Sequence, residues 1–406
     1  MPATDASLIP PPSRTMNFNA GPAALPLAVL EACRDELVDF GNTGMSIMEH
    51  SHRGAAYEAV HHDAIARLRS LMSIPDGTGA GGYDILFMQG GASQQFAQVA
   101  MNLLSPGASA GYIVSGVWGE KAVSEARAVA SQSGATVHVA CTTARSTPGA
   151  PSEAPLNPGR SGGDAKYVRV PDADEVALAP TDAYLHLTTN ETIDGVQYAT
   201  APGAMFPSFG TVPVVGDMSS DIAWRPIDVR QFGLIYAGAQ KNLGPSGVTV
   251  VIIRRDLVEA GRTDIPVIFQ YRTASRNTSL YNTPPTFSIY LMRQVLAWIG
   301  NLGGLEAVEA RNRAKSGAIY RVIDAFPEFY RCPVAVDSRS MMNIVFRLPT
   351  PALEEAFVAS TEAHGMVGLR GHRSVGGIRA SLYNAVEPAW VDALAQLMHD
   401  TATRHA

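Results

Sequence analysis

Short apolar runs and amphipathic stretches alternate along most of the chain, from about Ala28 to Leu302. Six runs read as strands: Tyr83 to Gln89, Ala108 to Gly116, Ala183 to Asn190, Thr211 to Ser219, Gly233 to Gly238 and Val248 to Arg255. Between them, as at Phe96, Val99, Ala100 and Leu103, apolar residues recur at the i, i+3, i+4, i+7 spacing of a helix face. Strand and helix in turn is the pattern of an α/β domain around a mostly parallel sheet. A long helix then follows Pro284 and Pro285 and stops at Gly303 and Gly304. Beyond it, a helix over about 305–326 and strands near "MMNIVFRL" and "GIRASLY" predict a smaller α+β body.

The pattern fails in two places. Residues 1–15 carry neither a charged-then-apolar leader nor a helix period, and are expected as a flexible tail. Residues 142–166 are crowded with Pro, Gly and Ser, and predict a flexible surface insertion. A second run of extra loop residues, "ATAPGAMFPSFG", follows "GVQY".

Composition narrows the classes. In 406 residues, 46% are hydrophobic, enough for sizeable cores, and 31 basic residues stand against 37 acidic ones with no basic run. Nucleic acid is therefore not the expected partner. No apolar run is long enough to span a bilayer, so no membrane is expected. Cys33, Cys141 and Cys332 are far apart and form no CxxC pair, the usage of a reducing, cytoplasmic compartment.

Several residues carry candidate chemistry, and each alone also has an ordinary structural reading. "GTGAGG", residues 77–82, matches G-x-G-x-x-G but precedes its strand instead of following one, so it reads as a loop. "QGGAS", residues 89–93, opens a helix, where free N–H groups and a serine make an anion cup, or merely a connection. Asp217 ends a strand at the edge where α/β sheets hold ligands, or caps a turn. Lys241 lies on the turn after the next strand, where an exposed lysine is unremarkable. Trp118 begins a helix after another strand, as a core residue or as a plate for a ring. On "GIRASLY", Arg379 faces away from the apolar row of Ile378, Ala380 and Leu382, toward solvent or a cleft. His50, His52, His61 and His62 crowd one stretch without the frame of a metal site, and no metal is expected.

Taken together, an anion cup, a carboxylate and an amine that can share one sheet edge resemble the equipment for pyridoxal 5'-phosphate. The amine condenses with the cofactor aldehyde and carries a proton, and the carboxylate keeps the pyridine nitrogen protonated. The motifs "FNAGPAALP", "QGGASQQF", "TNETIDGVQ", "YAGAQKNLGPSGVTVV", "YNTPPTFSIY" and "GHRSVGGIRASLYNA", from about Met16 to Asn384, resemble the phosphoserine aminotransferases, class V members of the fold type I pyridoxal phosphate enzymes. The resemblance implies a large domain over 30–300 with a seven-stranded sheet. It also implies a small domain over 301–406, joined by 16–29. It implies that Lys241 bonds the cofactor, Asp217 meets its ring nitrogen and Trp118 stacks on the ring. Thr192 would lie near the phenolic oxygen, and Ala92, Ser93 and Gln240 near the phosphate. Asn282 and Thr283 would reach the partner's cofactor in a homodimer. Glutamate and 3-phosphohydroxypyruvate are the implied substrates, with a related phosphorylated oxo acid on the route to the cofactor itself left open. Arg379 would bind the α-carboxylate, and His52, Arg53, His372 and Arg373 the distal anion. Within the cofactor class, another aminotransferase or a cysteine desulfurase is the alternative, the latter needing a reactive cysteine that Cys332, before Pro333, does not suggest.

Overall fold

The computed structural model describes residues 14–145 and 165–405. Nearly all of the expected tail and most of the expected insertion therefore lie outside the described residues. A seven-stranded sheet forms the centre, from β1 Tyr83–Met88, β2 Ser109–Val114, β3 Thr136–Thr142, β4 Asp182–Thr188, β5 Val214–Asp217, β6 Leu234–Gly238 and β7 Thr249–Arg254. Their order is β1-β7-β6-β5-β4-β2-β3. Only β7 runs antiparallel, to both β1 and β6. The pairs β2–β3, β2–β4, β4–β5 and β5–β6 are parallel.

Six of these strands are the six apolar runs. The seventh, β3, has the sequence "TVHVACT" and is largely uncovered, which suits an edge position and explains why no continuous apolar run announces it. β7 shows the opposite case. Val250 and Ile252 pack into one layer, with Tyr57, Val60, Ile289 and Met292. Val251 and Ile253 pack into the other, with Phe96, Val99, Ala122 and Ala126. A strand covered on both faces has no polar face to display.

The helix after Pro284 and Pro285 spans Thr286–Asn301, and Gly303, at φ 102°, turns the chain into the next helix, Gly304–Ala325. That second helix belongs to a separate core. Ile319, Ile344, Phe346, Ile378, Ala380 and Leu394 pack there, joined by Phe18 and Ala24 from the beginning of the chain. Met16–Asn17 pairs with Met366–Val367, so the N-terminal segment is stitched to the C-terminal body.

Two expectations change in detail. The extra residues after "GVQY" are not a bare loop, because Phe206 and Phe209 are buried in the main core and Phe206 packs edge-on against Phe232. Both faces of the strand Ile378–Ser381 are covered, since Ser381 and Tyr383 are as buried as the apolar row. Arg379 thus looks into protein and a cleft, not into bulk solvent. Residues 79–81 form a turn before β1, and the Arg255 guanidinium ties that loop down through Gly77 and Asp76.

Candidate active site

The carboxyl ends of β1, β2, β4, β5 and β6 open on one side of the sheet, and the candidate residues gather there. After β6 the chain turns sharply: the Ala239 N–H donates to Val248 at 3.0 Å and Gly244 N–H to Ala239 at 2.8 Å. A Cβ at Gly238 would lie 2.5 Å from Gln240 Oε1, so a larger residue there would displace the Gln240 side chain. The Ala23 N–H, donating to the Gln240 carbonyl at 2.9 Å, braces it from the N-terminal segment. Lys241 Nζ donates to Thr192 Oγ1 at 2.6 Å and stands 5.8 Å from the centre of the Trp118 ring. Burial pushes its ammonium down to about 8, Asp217 opposes the shift, and Arg379 adds to it.

Asp217 is the last residue of β5 and is buried. Its Oδ1 accepts the Ser219 N–H at 2.9 Å, and the Ser219 hydroxyl accepts the Gly238 N–H at 3.1 Å, tying the two strand ends together. Burial pushes this carboxyl above its ordinary value, while Ser219 and the Lys241 charge hold it down. A buried carboxylate without an ion pair is available to a cationic ligand group.

Trp118 is the second residue of the helix Val117–Ala130, beside Phe96, with its indole N–H buried and without a partner among the described residues. Ala92 and Ser93 stand in the first turn of the helix Gly91–Leu103. The entry to this helix requires glycine, since Gly90 and Gly91 have φ of 86° and 69°, and a Cβ at Gly90 would lie 2.0 Å from Gln94 Oε1. The N–H groups of that first turn have no intrahelical acceptors and favour an anion.

Opposite the sheet, the small body contributes cations. Arg379 is half-buried, its Nη1 donates to the Thr192 carbonyl at 3.4 Å, and its Nε is buried without a partner among the described residues. His372 pairs with Ser374 at 2.7 Å; burial, then Arg379, Arg373 and Lys121, disfavour its charged form. A cavity of about 360 Å³ lies between Tyr167, Asp194, Arg347, His372 and Arg379. Arg373 is exposed beside it.

Lys241, Asp217, Thr192, Trp118 and Arg379 are thus brought together around one cleft, with Gln240 on the lysine turn and His372 beside Arg379. His52, Arg53, Asn282 and Thr283 form another group. The Thr283 hydroxyl meets His52 Nδ1 at 3.2 Å and its carbonyl accepts from Gln89 at 3.2 Å, while Arg53, Asn282 and Thr283 are exposed. Among the described residues, no hydrogen bond or ion pair joins that group to Lys241, Asp217 or Arg379.

Three residues of the cleft were not anticipated. Glu191 and Asp194 belong to "TNETIDGVQ", a mostly polar stretch that gives no sign that both acids are buried. Lys121 carries no mark either, yet its ammonium lies 4.4 Å from the Trp118 ring centre. The desulfurase alternative gains nothing: burial raises the thiols of Cys33, Cys141 and Cys332, the direction opposite to a reactive thiolate. No described helix is long and apolar enough to cross a membrane.

The chain matches the pattern of the aminotransferase class-V family over residues 15–156 and 163–394. It is 52% identical over 385 residues to a phosphoserine aminotransferase of Niallia circulans, an alignment covering 95% of this chain and 97% of that one. A solved phosphoserine aminotransferase from Bacillus circulans subsp. alkalophilus shares 50% identity at a TM-score of 0.86, over 97% of this chain and 99% of that one. A pyridoxal phosphate-bound phosphoserine aminotransferase from Trichomonas vaginalis, 36% identical, superposes at a TM-score of 0.83 over 95% and 99% of the two chains. With its sheet order, its lysine turn and this full-length similarity, the chain belongs to the class-V aminotransferase family.

Proposed function

We propose that the protein is a pyridoxal phosphate-dependent phosphoserine aminotransferase, which passes an amino group from glutamate to 3-phosphohydroxypyruvate, giving 2-oxoglutarate and O-phosphoserine. The observation that carries this reading is the convergence of Lys241, Asp217, Thr192, Trp118 and Arg379 on one cleft in a chain so similar to enzymes of that name. The donor set fits the cofactor: the Lys241 amine, the buried Asp217 carboxylate with no ion pair among the described residues, a glycine-opened helix N-terminus, and an indole N–H with no hydrogen-bond partner among those residues.

When bound, pyridoxal phosphate supplies an electron sink for the pair left as a proton leaves the substrate α-carbon. The remaining work falls to the chain. Lys241 Nζ, lowered to about 8, sheds its proton readily near neutrality and serves as nucleophile and as carrier of the α-proton. Asp217 would hold a positive charge on the cofactor ring, and Thr192 orients the Lys241 amine. Ala92 and Ser93 would offer N–H groups to its phosphate, with Gln240 as a further candidate, and Trp118 would exclude water from the ring. Arg379 takes the α-carboxylate, and its unpartnered Nε is suited to a two-pronged bond. His372 and Arg373 read the distal phosphate or carboxylate.

His52, Arg53, Asn282 and Thr283 act in this proposal on the site of a second copy, which makes the enzyme a homodimer. The exposure of Arg53, Asn282 and Thr283 supports it, as does the apolar surface of Ile268 and Tyr281 in the same groove as Asn282. Residues 30–300 form the cofactor domain, and 16–29 with 301–406 the domain that supplies Arg379. The compartment is the cytoplasm. The test is the visible spectrum of the purified protein with pyridoxal phosphate. Glutamate is expected to bleach the band and 3-phosphohydroxypyruvate to restore it; a band indifferent to glutamate contradicts the assignment.

A further inference from the structure

The turn that carries Thr192 also carries two acids for which amino transfer has no direct use. Glu191 is fully buried and Asp194 is 7% exposed, and neither makes an ion pair among the described residues. Their partners are backbone groups of another element. The Glu191 carboxylate accepts the Trp118 N–H at 2.9 Å and the Gly119 N–H at 2.8 Å, while Asp194 accepts the Val117 N–H at 3.0 Å. These are the first three N–H groups of the helix Val117–Ala130, which have no acceptors within the helix. Gly116, at the cap position, has no side chain to serve them. It also makes the room: a Cβ on Gly116 would lie 2.2 Å from the Glu191 carboxyl carbon. Burial, then the Asp194 charge, pushes the Glu191 carboxyl up, and the two N–H bonds hold it down.

The same turn is fixed from the other side. Gly195 N–H donates to the Glu191 carbonyl at 2.8 Å, Ser340 N–H to the Gly195 carbonyl at 3.0 Å, and Asn190 to Asn343 at 2.8 Å. Between the two acids, Thr192 meets Lys241 and Arg379. One rigid turn therefore sets both the position of the lysine amine and the entry of the helix that presents Trp118.

We propose that Glu191, assisted by Asp194, is a positioning residue that holds the Trp118 ring at the spacing from Lys241 which a bound pyridine ring requires. This rests on the reading of Trp118 as the plate over the cofactor, and the test separates the two. Glu191→Gln keeps the shape but turns one acceptor into a donor facing an N–H. Subtracting the spectrum of Trp118→Phe isolates Trp118 among the four tryptophans. In cofactor-free protein, E191Q is expected to shift the Trp118 emission and open it to quenching. It is also expected to raise the pyridoxal phosphate dissociation constant about tenfold, and by less than about twofold when Trp118 is already Phe. Unchanged emission, or an equal loss of affinity in both backgrounds, overturns the proposal by reducing Glu191 to an ordinary helix cap. If E191Q does not fold, Asp194→Asn is expected to show the same non-additive pattern at smaller size, and simple additivity overturns it. A wild-type protein that takes up no pyridoxal phosphate contradicts the function proposed above, and the emission measurement then still decides about Glu191.

Discussion

Two lysines are taken out of bulk water in this molecule, and they are treated in opposite ways. Lys315, on the helix Gly304–Ala325, is 2% exposed and donates to the carbonyls of Leu382, Tyr383 and Val386 at 2.9, 2.7 and 3.2 Å. An ammonium has three protons, and here all three are used. Lys241 has one neutral partner, the Thr192 hydroxyl, with Asp217 acting on it by charge alone. Burial lowers both ammonium groups. The difference lies in what proton loss would cost: at Lys315 the two N–H groups that remain could not serve three carbonyls and a buried acceptor would be orphaned, whereas at Lys241 a single hydroxyl can turn round and donate. The two are also connected. Lys315 braces the turn that places Asn384, which donates through its N–H to Asn242 Oδ1 at 3.0 Å, directly beside Lys241. The saturated lysine holds the frame in which the unsaturated one reacts.

The strongest break of this comparison is Lys241→Ala, expected to reduce turnover by at least about 10⁴-fold while the apoprotein melts close to wild type, read by coupled assay and thermal denaturation. Lys315→Met should do the reverse. It leaves three carbonyls unpaired, and denaturant titration of the apoprotein is expected to show a loss of about 3 kcal/mol, with turnover per folded molecule within about threefold of wild type. A K315M protein that is stable but inactive would erase the distinction.

The next effect is on pH. The neutral amine is the nucleophile, so the rate at which apoprotein takes up pyridoxal phosphate should rise as Lys241 loses its proton. Stopped-flow mixing is expected to show about a tenfold gain per pH unit below about 8 and a plateau above it. The sign follows from the lowered value; an ordinary lysine would still be climbing at about pH 10.

The smallest effect carries the comparison to the arginines. Arg379 is half-buried with an unpartnered Nε, whereas Arg373 is exposed. Arg373→Ala is expected to raise KM for the phosphorylated oxo acid by about three- to tenfold, with kcat nearly unchanged and the difference shrinking at high salt. Steady-state kinetics at two ionic strengths checks it.

How much of this was legible depended on whether a residue's surroundings are local. The doubly covered strands announced themselves as apolar runs, and the helix bounded by Pro285 and Gly303 by its punctuation. The edge strand β3 did not, because His138 and its neighbours need cover on one side only. Alternation showed correctly that Arg379 leaves the apolar row, but only the opposing body shows that it enters a cleft. Lys315 sits in "ARNRAKSGAIY", where it looks like any solvated helix lysine, and its three carbonyls lie 67 to 71 residues further along the chain. Glu191 was visible as a residue and invisible as a cap, since the N–H groups it serves lie 72 to 73 residues earlier.

The central claim is that the unsaturated lysine, and not the saturated one, bonds the cofactor. The most direct measurement is to load the protein with pyridoxal phosphate, fix the bond with borohydride, digest, and locate the added mass by peptide sequencing in a mass spectrometer. The mass is expected on Lys241 in stoichiometric amount and absent from Lys315. Its appearance on any other lysine, or on none, would contradict the account.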